Sequence, residues 1–163
     1  MSDLLIKMPL VYEPLRQNRF LLRFPSDLGI QEWWVKDTVR PTLELPSKEI
    51  EFMNTSTWIT GRYKWKAMTV KLRDTIGPST SQAVMEWVRL HAESVTGRMG
   101  YAAGYKRNCE LEMLDPTGVV VQKWILVNCM LSGDINFGSL SYTSEEIAEI
   151  DFSIQPDYCV LAY

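Results

Sequence analysis

Few of the 163 residues can carry acid–base or covalent chemistry, and those that can are scattered. The single histidine, His91, shares a helical face with Trp87, Val88 and Val95 and has no catalytic motif beside it. That setting favours a packed or hydrogen-bonded imidazole over a general base or a ligand. Cys109, Cys129 and Cys159 are too far apart for a zinc motif. Their odd number and the absence of CxxC fit buried free thiols in a reducing compartment. Carboxylates recur two residues apart: Glu49 with Glu51, Glu110 with Glu112, Glu149 with Asp151. Two carboxylates can flank a glycosidic bond, but in a strand this spacing places both on the solvent face of a sheet. The GxGxxG, P-loop and GxSxG patterns are absent. The residues therefore point to no enzyme, no cofactor and no metal site.

The elements that position these residues are mostly strands. Length and a 46% hydrophobic, 23% charged composition fit one folded domain spanning 1–163. One helix is expected over 79–96: Ser79 with Gln82 forms a capping box, Val84, Trp87, Val88, His91, Ala92 and Val95 recur on one face, and Gly97 ends it. Gly97 to Gly100, with Gly104, reads as a flexible loop. Arg19–Phe24 turns Phe20, Leu22 and Phe24 to one side, and Ile150, Phe152 and Ile154 alternate with polar residues. Asn108–Leu114 and Val119–Val127 flank Asp115-Pro116-Thr117-Gly118, a type I turn sequence. Pairing Asp115 with Gly118 would set Cys109 opposite Trp124 and leave Cys109 and Cys129 out of register for a bridge. A second hairpin, 47–62, pairs Glu49–Phe52 with Thr57–Thr60 around Met53-Asn54-Thr55-Ser56, and its sides alternate poorly. A long two-stranded arm is marginal alone and needs another surface. Lys64–Arg73 carries Lys64, Lys66, Lys71 and Arg73, which suits an edge or a polar interface. The sum is a mainly β (α+β) fold, a sandwich or barrel with one flanking helix.

Charge is segregated along the chain. Trp124–Tyr163 holds six acids and no Lys or Arg, so the net −3 divides into +3 before it and −6 within it. Six Trp and seven Tyr could stack bases, but basic residues are not gathered around them. Adjacent Trp33 and Trp34, on opposite sides of a strand, read as one core and one contact residue. No apolar run approaches the roughly 20 residues of a membrane helix, and no secretory signal pattern opens the chain.

Taken in order, several segments resemble the tail tube protein of contractile-tailed bacteriophages. The resemblance covers Asn18 to Tyr158: the RFLLRF strand, the linker ending ELPSKEIEFMN with Leu45-Pro46 and Phe52-Met53-Asn54, and the Gly61-Arg62 turn before KWKAMTVKLRD. It continues through the helix with Glu86-Trp87, the Gly104-Tyr105-Lys106 loop, the hairpin CELEMLDPTGVVVQKWIL and the ending SLSYTSEEIAEIDFSIQPDY. The cysteines and the proline-bearing N-terminus depart from that pattern.

The resemblance implies hexameric rings stacked into a hollow tube inside a contractile sheath, similar in architecture to the type VI secretion tube. Each subunit would give four strands to a continuous inner barrel of about 24 strands, roughly 50 Å across the backbone, wide enough for a double helix. It further implies an extended N-terminal arm, 1–17, and a projecting stacking hairpin, 47–62. Glu49, Ile50, Glu51, Phe52, Met53, Asn54, Thr55, Ser56, Thr57 and Trp58 are the expected inter-ring contacts. A conduit for DNA wants an acidic or neutral wall. Glu145, Glu146, Glu149 and Asp151 are the first lumen candidates, with Glu110 and Glu112 competing. Implied partners are further copies of the chain, the sheath, a baseplate initiator, a tail terminator, and tape measure protein and genomic DNA in the lumen, with no membrane contact. The implied place is the virion tail, assembled in the host cytoplasm. Two other readings stand beside it: an injection tube of phage-derived or type VI-like kind that passes protein, and a monomeric small-ligand-binding β-barrel.

Overall fold

The structure is a computed structural model that describes residues 11–163. The expected N-terminal arm, 1–17, thus falls outside the described residues up to residue 10, and residues 11–17 form no helix or strand. Eleven strands follow: β1 (Phe20–Arg23), β2 (Val35–Thr38), β3 (Leu43–Glu44), β4 (Ser47–Phe52), β5 (Thr55–Thr60), β6 (Lys64–Trp65), β7 (Met68–Arg73), β8 (Arg107–Leu114), β9 (Val120–Asn136), β10 (Glu149–Gln155) and β11 (Tyr158–Leu161). The helices are α1 (Thr80–His91) and the single turn α2 (Ala102–Tyr105). The fold is mainly β with one substantial helix, as the strand periodicities require. Among the described residues no helix is long and apolar enough to cross a membrane.

The main sheet runs β1-β8-β9-β10-β7-β2, with β11 also paired to β9. Its 17-residue strand β9 joins two leaves: Trp124–Val127 lies between β8 and β11, whereas Met130–Asn136 pairs with β10. The change of partner falls at Asn128, whose φ of 53° is the left-handed conformation that Asn tolerates. Asn108 and Asp157 take the Asn128 amide and side chain, at 3.0 and 3.1 Å. The leaves close over Leu22, Met68, Val70, Leu72, Leu111, Leu126, Ile150, Phe152 and Ile154, with α1 inserting Val84 and Trp87. Trp87 meets Phe24 and Phe152 edge to face and donates its indole N–H to the Tyr105 carbonyl at 2.9 Å. Strand alternation thus places the predicted inward residues of β1 and β10 in the core.

Several expectations need correction. α1 ends at His91, not at residue 96, and Val95 is exposed. Ser79 does cap it, accepting from the Gln82 amide at 3.4 Å. After His91 the chain doubles back: Glu93 N–H bonds Arg98, Gly100 N–H bonds His91, and Ala92 bridges Met99. Gly97 sits in that reversal at φ 71° rather than stopping the helix. The 97–100 segment is accordingly pinned, and a side chain at Gly100 would collide with the Leu90 carbonyl. The Asp115 turn forms as read, with Gly118 N–H donating to the Asp115 carbonyl at 3.1 Å, but Asp115 N–H bonds the Val119 carbonyl at 2.9 Å, which makes Gly118 an extra residue at φ 88°. That extra residue and a shift between Met113 and Leu114 put Cys109 opposite Leu126, not Trp124. Lys64–Arg73 is two strands rather than one: Lys64–Trp65 pairs with Leu43–Glu44 in a two-stranded sheet, whereas β7 is not an edge but an interior strand between β10 and β2. Trp33 and Trp34 lie in a 3₁₀ turn, not a strand, yet Trp34 is buried and Trp33 exposed.

His91 is bonded at both nitrogens, Nδ1 to the Trp87 carbonyl at 3.0 Å and Nε2 to the Leu131 amide at 3.2 Å, and it stacks on Tyr105. The carbonyl needs a donor and the amide an acceptor, so the imidazole is neutral with its proton on Nδ1. All three cysteines are buried and free. A hydrogen bond to Cys129, together with burial, pushes the Cys109 thiol well up, and burial raises Cys159 to about 12. Cys109 and Cys159 are therefore thiols, not thiolates, at neutral pH.

Gly100→Ala is expected to lower unfolding stability by about 1–3 kcal/mol, the usual cost of overpacking. Urea unfolding of the variant checks this. An unchanged midpoint would mean that the return strand does not press on the end of α1.

Candidate assembly interface

Among the described residues the hairpin β4–β5 forms a two-stranded sheet of its own, paired with no other strand. Its twelve strand residues are all exposed and pair only with each other, from Ser47 with Thr60 to Phe52 with Thr55. The register resolves the poor alternation read from the sequence. Lys48, Ile50 and Phe52 share a face with Thr55, Thr57 and Ile59, while Glu49 and Glu51 share the other with Ser56 and Trp58. The arm is therefore amphipathic, with an apolar side and an acidic side. Its loop is only Met53-Asn54, so both strands are longer than expected. Met53 sits at the tip with φ 52°, a strained conformation for an unbranched side chain that is also 88% exposed.

The outward faces of the two leaves differ in chemistry. On the leaf β2–β7–β10–β9 the row Asp37, Lys71, Asp151, Asn136 crosses all four strands. Glu149 bonds Lys36 and lies 3.8 Å from Lys71, which is 3.9 Å from Asp151. Arg73 stands opposite Glu149, Thr69 stands opposite Ser153, and Asp134 lines the same surface. Three cations against four carboxylates make this face polar and close to neutral. The leaf β1–β8–β9–β11 presents charges beside apolar residues. Arg23, Glu110, Glu112 and Lys123 share it with Ile125 opposite Val160 and Val127 opposite Tyr158. Among the described residues each leaf also ends in an unpaired border, since β1 bonds only β8 and β2 only β7.

The described residues thus leave an amphipathic arm, unpaired sheet borders and a half-apolar sheet face open to solvent. The sequence matches no family model and no curated protein. Solved structures do match. A chain in the cryo-EM structure of the anti-feeding prophage cap, the AFP tube terminating cap, superposes with a TM-score of 0.74 at 15% identity, over 98% of each chain. A chain in the sheath-tube complex of the extracellular contractile injection system PVC, in its extended state, gives 0.72 at 13% identity over 93% of each. Hcp1 from Flavobacterium johnsoniae gives 0.50 at 10% identity over 88% of this chain and 94% of that one. This chain has the fold of contractile injection tube and terminator proteins.

On that tube-protein fold the six lumen candidates do not share a surface. Glu149 and Asp151 lie together on β10, Glu110 and Glu112 lie on the outer face of the other leaf, and Glu145 with Glu146 lies in the exposed loop after β9. The expectation that i, i+2 carboxylates are solvated fails at Glu112. It is 4% exposed between Arg23 at 3.4 Å and Lys123 at 3.8 Å, and its Oε2 lacks a hydrogen-bond partner. Sequence reading missed the cations that answer the acidic tail: Lys36, Lys71 and Lys106 come from the basic first part of the chain. Among the described residues, no group of three or more His, Cys, Asp or Glu is placed to hold a metal.

The hydrogen bond from Lys36 holds the Glu149 carboxyl below its ordinary value, and the Lys106 bond does the same for Asp157. A lowered folded-state pKa contributes stability above the unfolded value, ~4.3 for Glu, which is lost as pH falls through the folded value. Lys36→Met should therefore raise the Glu149 pKa toward ordinary and weaken the acid dependence of unfolding below about pH 4.3. Carboxyl carbon NMR titration reads the shift directly. An unmoved Glu149 would show that the pair does not persist in solution.

Proposed function

We propose that the chain is a structural subunit of a contractile tail tube, assembling as hexameric rings that stack into the conduit for DNA ejection within a sheath. The observation that carries this reading is the hairpin arm of residues 47–60, exposed on both faces and paired with no other strand among the described residues. A free two-stranded ribbon of this kind is marginal in water, and the apolar face of Ile50, Phe52 and Ile59 gains its burial only against another copy. The arm is the ring-to-ring contact. Its fold relatives from structures of a tube terminating cap and a sheath-tube complex support the same reading. Partners by this reading are further copies, sheath, baseplate initiator and terminator, with tape measure protein and DNA in the lumen.

Of the two four-stranded leaves, β2–β7–β10–β9 is the one suited to a channel wall. DNA slides past a surface that neither binds phosphate nor offers apolar patches, and a lattice of paired opposite charges meets both demands. The other leaf, with Ile125, Val127, Tyr158 and Val160 half-exposed, suits contact with protein. Glu149 and Asp151 are thus the wall residues, and Glu110 and Glu112 are not. A second reading, a cap that ends a tube rather than extending it, is favoured by the match to the terminating-cap structure.

Electron microscopy of the purified chain separates these readings. A tube subunit forms stacked rings with a central channel, a cap stops at one ring, and a ligand-binding barrel stays monomeric. Deleting Met53 to Trp58 should leave folded subunits or single rings without long tubes, and unchanged polymers would refute the stacking role. Replacing Glu149 and Asp151 by lysine should slow DNA passage while sparing assembly. Normal delivery at low salt would place the wall elsewhere.

A further inference from the structure

The side of the sandwich bordered by β1 and β2 holds a groove of about 390 Å³ that the chain's described residues leave open. Phe20, Leu111 and Met113 line it from one leaf and Val39 from the end of the other. Leu111 and Met113 are at most 6% exposed, so they form an apolar floor, while Arg16 and Arg40 stand exposed at its rim. Among the described residues neither arginine is in an ion pair, although Asp37, the one carboxylate in the lining, stands in register with Lys71. Both bordering strands offer unsatisfied backbone groups along this side.

The geometry points to this groove as the seat of the β4–β5 arm from a second copy of the chain. The two surfaces complement each other in each respect that matters. Ile50 and Phe52 project from one face of the arm and match the apolar floor. Glu49 and Glu51 lie on the opposite face, also without ion pairs among the described residues, within the sweep of two long arginine side chains rising from the rim. Met53 at the tip extends the apolar end, which gives its strained conformation a purpose. A second copy is the occupant because the floor is concave and, among the described residues, both faces of the arm are exposed in the chain that carries it. The inference rests on the arm being the stacking element and adds where it lands.

Charge exchange in the full-length chain tests it. Glu49→Lys with Glu51→Lys, and separately Arg16→Glu with Arg40→Glu, should each cut tube formation about tenfold or more by opposing like charges. The quadruple variant, with both sides reversed, should recover it. Circular dichroism of each variant establishes folding, and sedimentation with electron microscopy reads the polymer. If both double variants polymerise normally, or if the quadruple variant does not recover, the arm seats elsewhere and the groove assignment falls while the stacking role survives. Tubes formed after deletion of Met53 to Trp58 would instead overturn the stacking role itself. As a second measurement independent of charge, Val39→Cys with Met53→Cys should give an oxidation ladder of linked copies on non-reducing gels. Monomers alone would overturn the assignment. Linking that appears only after residues 2–10 are removed would also overturn it, by making the chain's own first residues the occupant.

Discussion

One strand serves two sheets, and the backbone hydrogen-bonding requirement of that strand organises the molecule. Every buried amide and carbonyl needs a partner. β9 meets that demand by bonding β8 and β11 along its first half and β10 along its second. The change of partner at Asn128 brings the two leaves face to face, so the core forms between halves of one continuous strand. α1 then fills the side where the leaves diverge. His91 takes up the Leu131 amide, and Trp87 fills the space against Phe24 and Phe152. Among the described residues the opposite side, bordered by β1 and β2, has no such helix. It is there that the chain keeps unpaired strands and a groove.

The electrostatics follow from the same topology. Along the sequence the acids gather at the end and the bases before them, which suggests a molecule with one negative face. Antiparallel pairing of β10 with β7 undoes this by bringing Glu149 and Asp151 against Lys71 and Arg73. Lys36 arrives from β2 through a local irregularity between Val35 and Asp37 and bonds Glu149. The resulting face is neither a phosphate-binding patch nor an acidic wall. Each exposed pair adds little to stability, and together they make the surface polar and nearly uncharged in sum.

The arm answers a different constraint. A ribbon of two strands cannot bury enough apolar surface to hold itself firmly, yet this one carries Ile50, Phe52, Met53, Trp58 and Ile59 into solvent. Such residues on an isolated monomer invite aggregation. Where aggregation is ordered and repeats by symmetry, the same residues become the joint between copies.

Local periodicity carried the inward residues of β1 and β10, the capped start of α1, the Asp115 turn and the hairpin at 47–62. Those features depend on neighbours two to four positions away, and a single stretch of chain records them. The end of α1 at His91, the run of β9 past Asn128, the register of Cys109 and the burial of Glu112 were not legible, because each is settled by a distant segment. Met99 and Gly100 return against the helix, β10 claims the far half of β9, and one extra turn residue slides the hairpin. The distribution of charge over the surface belongs to the same class, since only strand pairing decides which lysine meets which carboxylate.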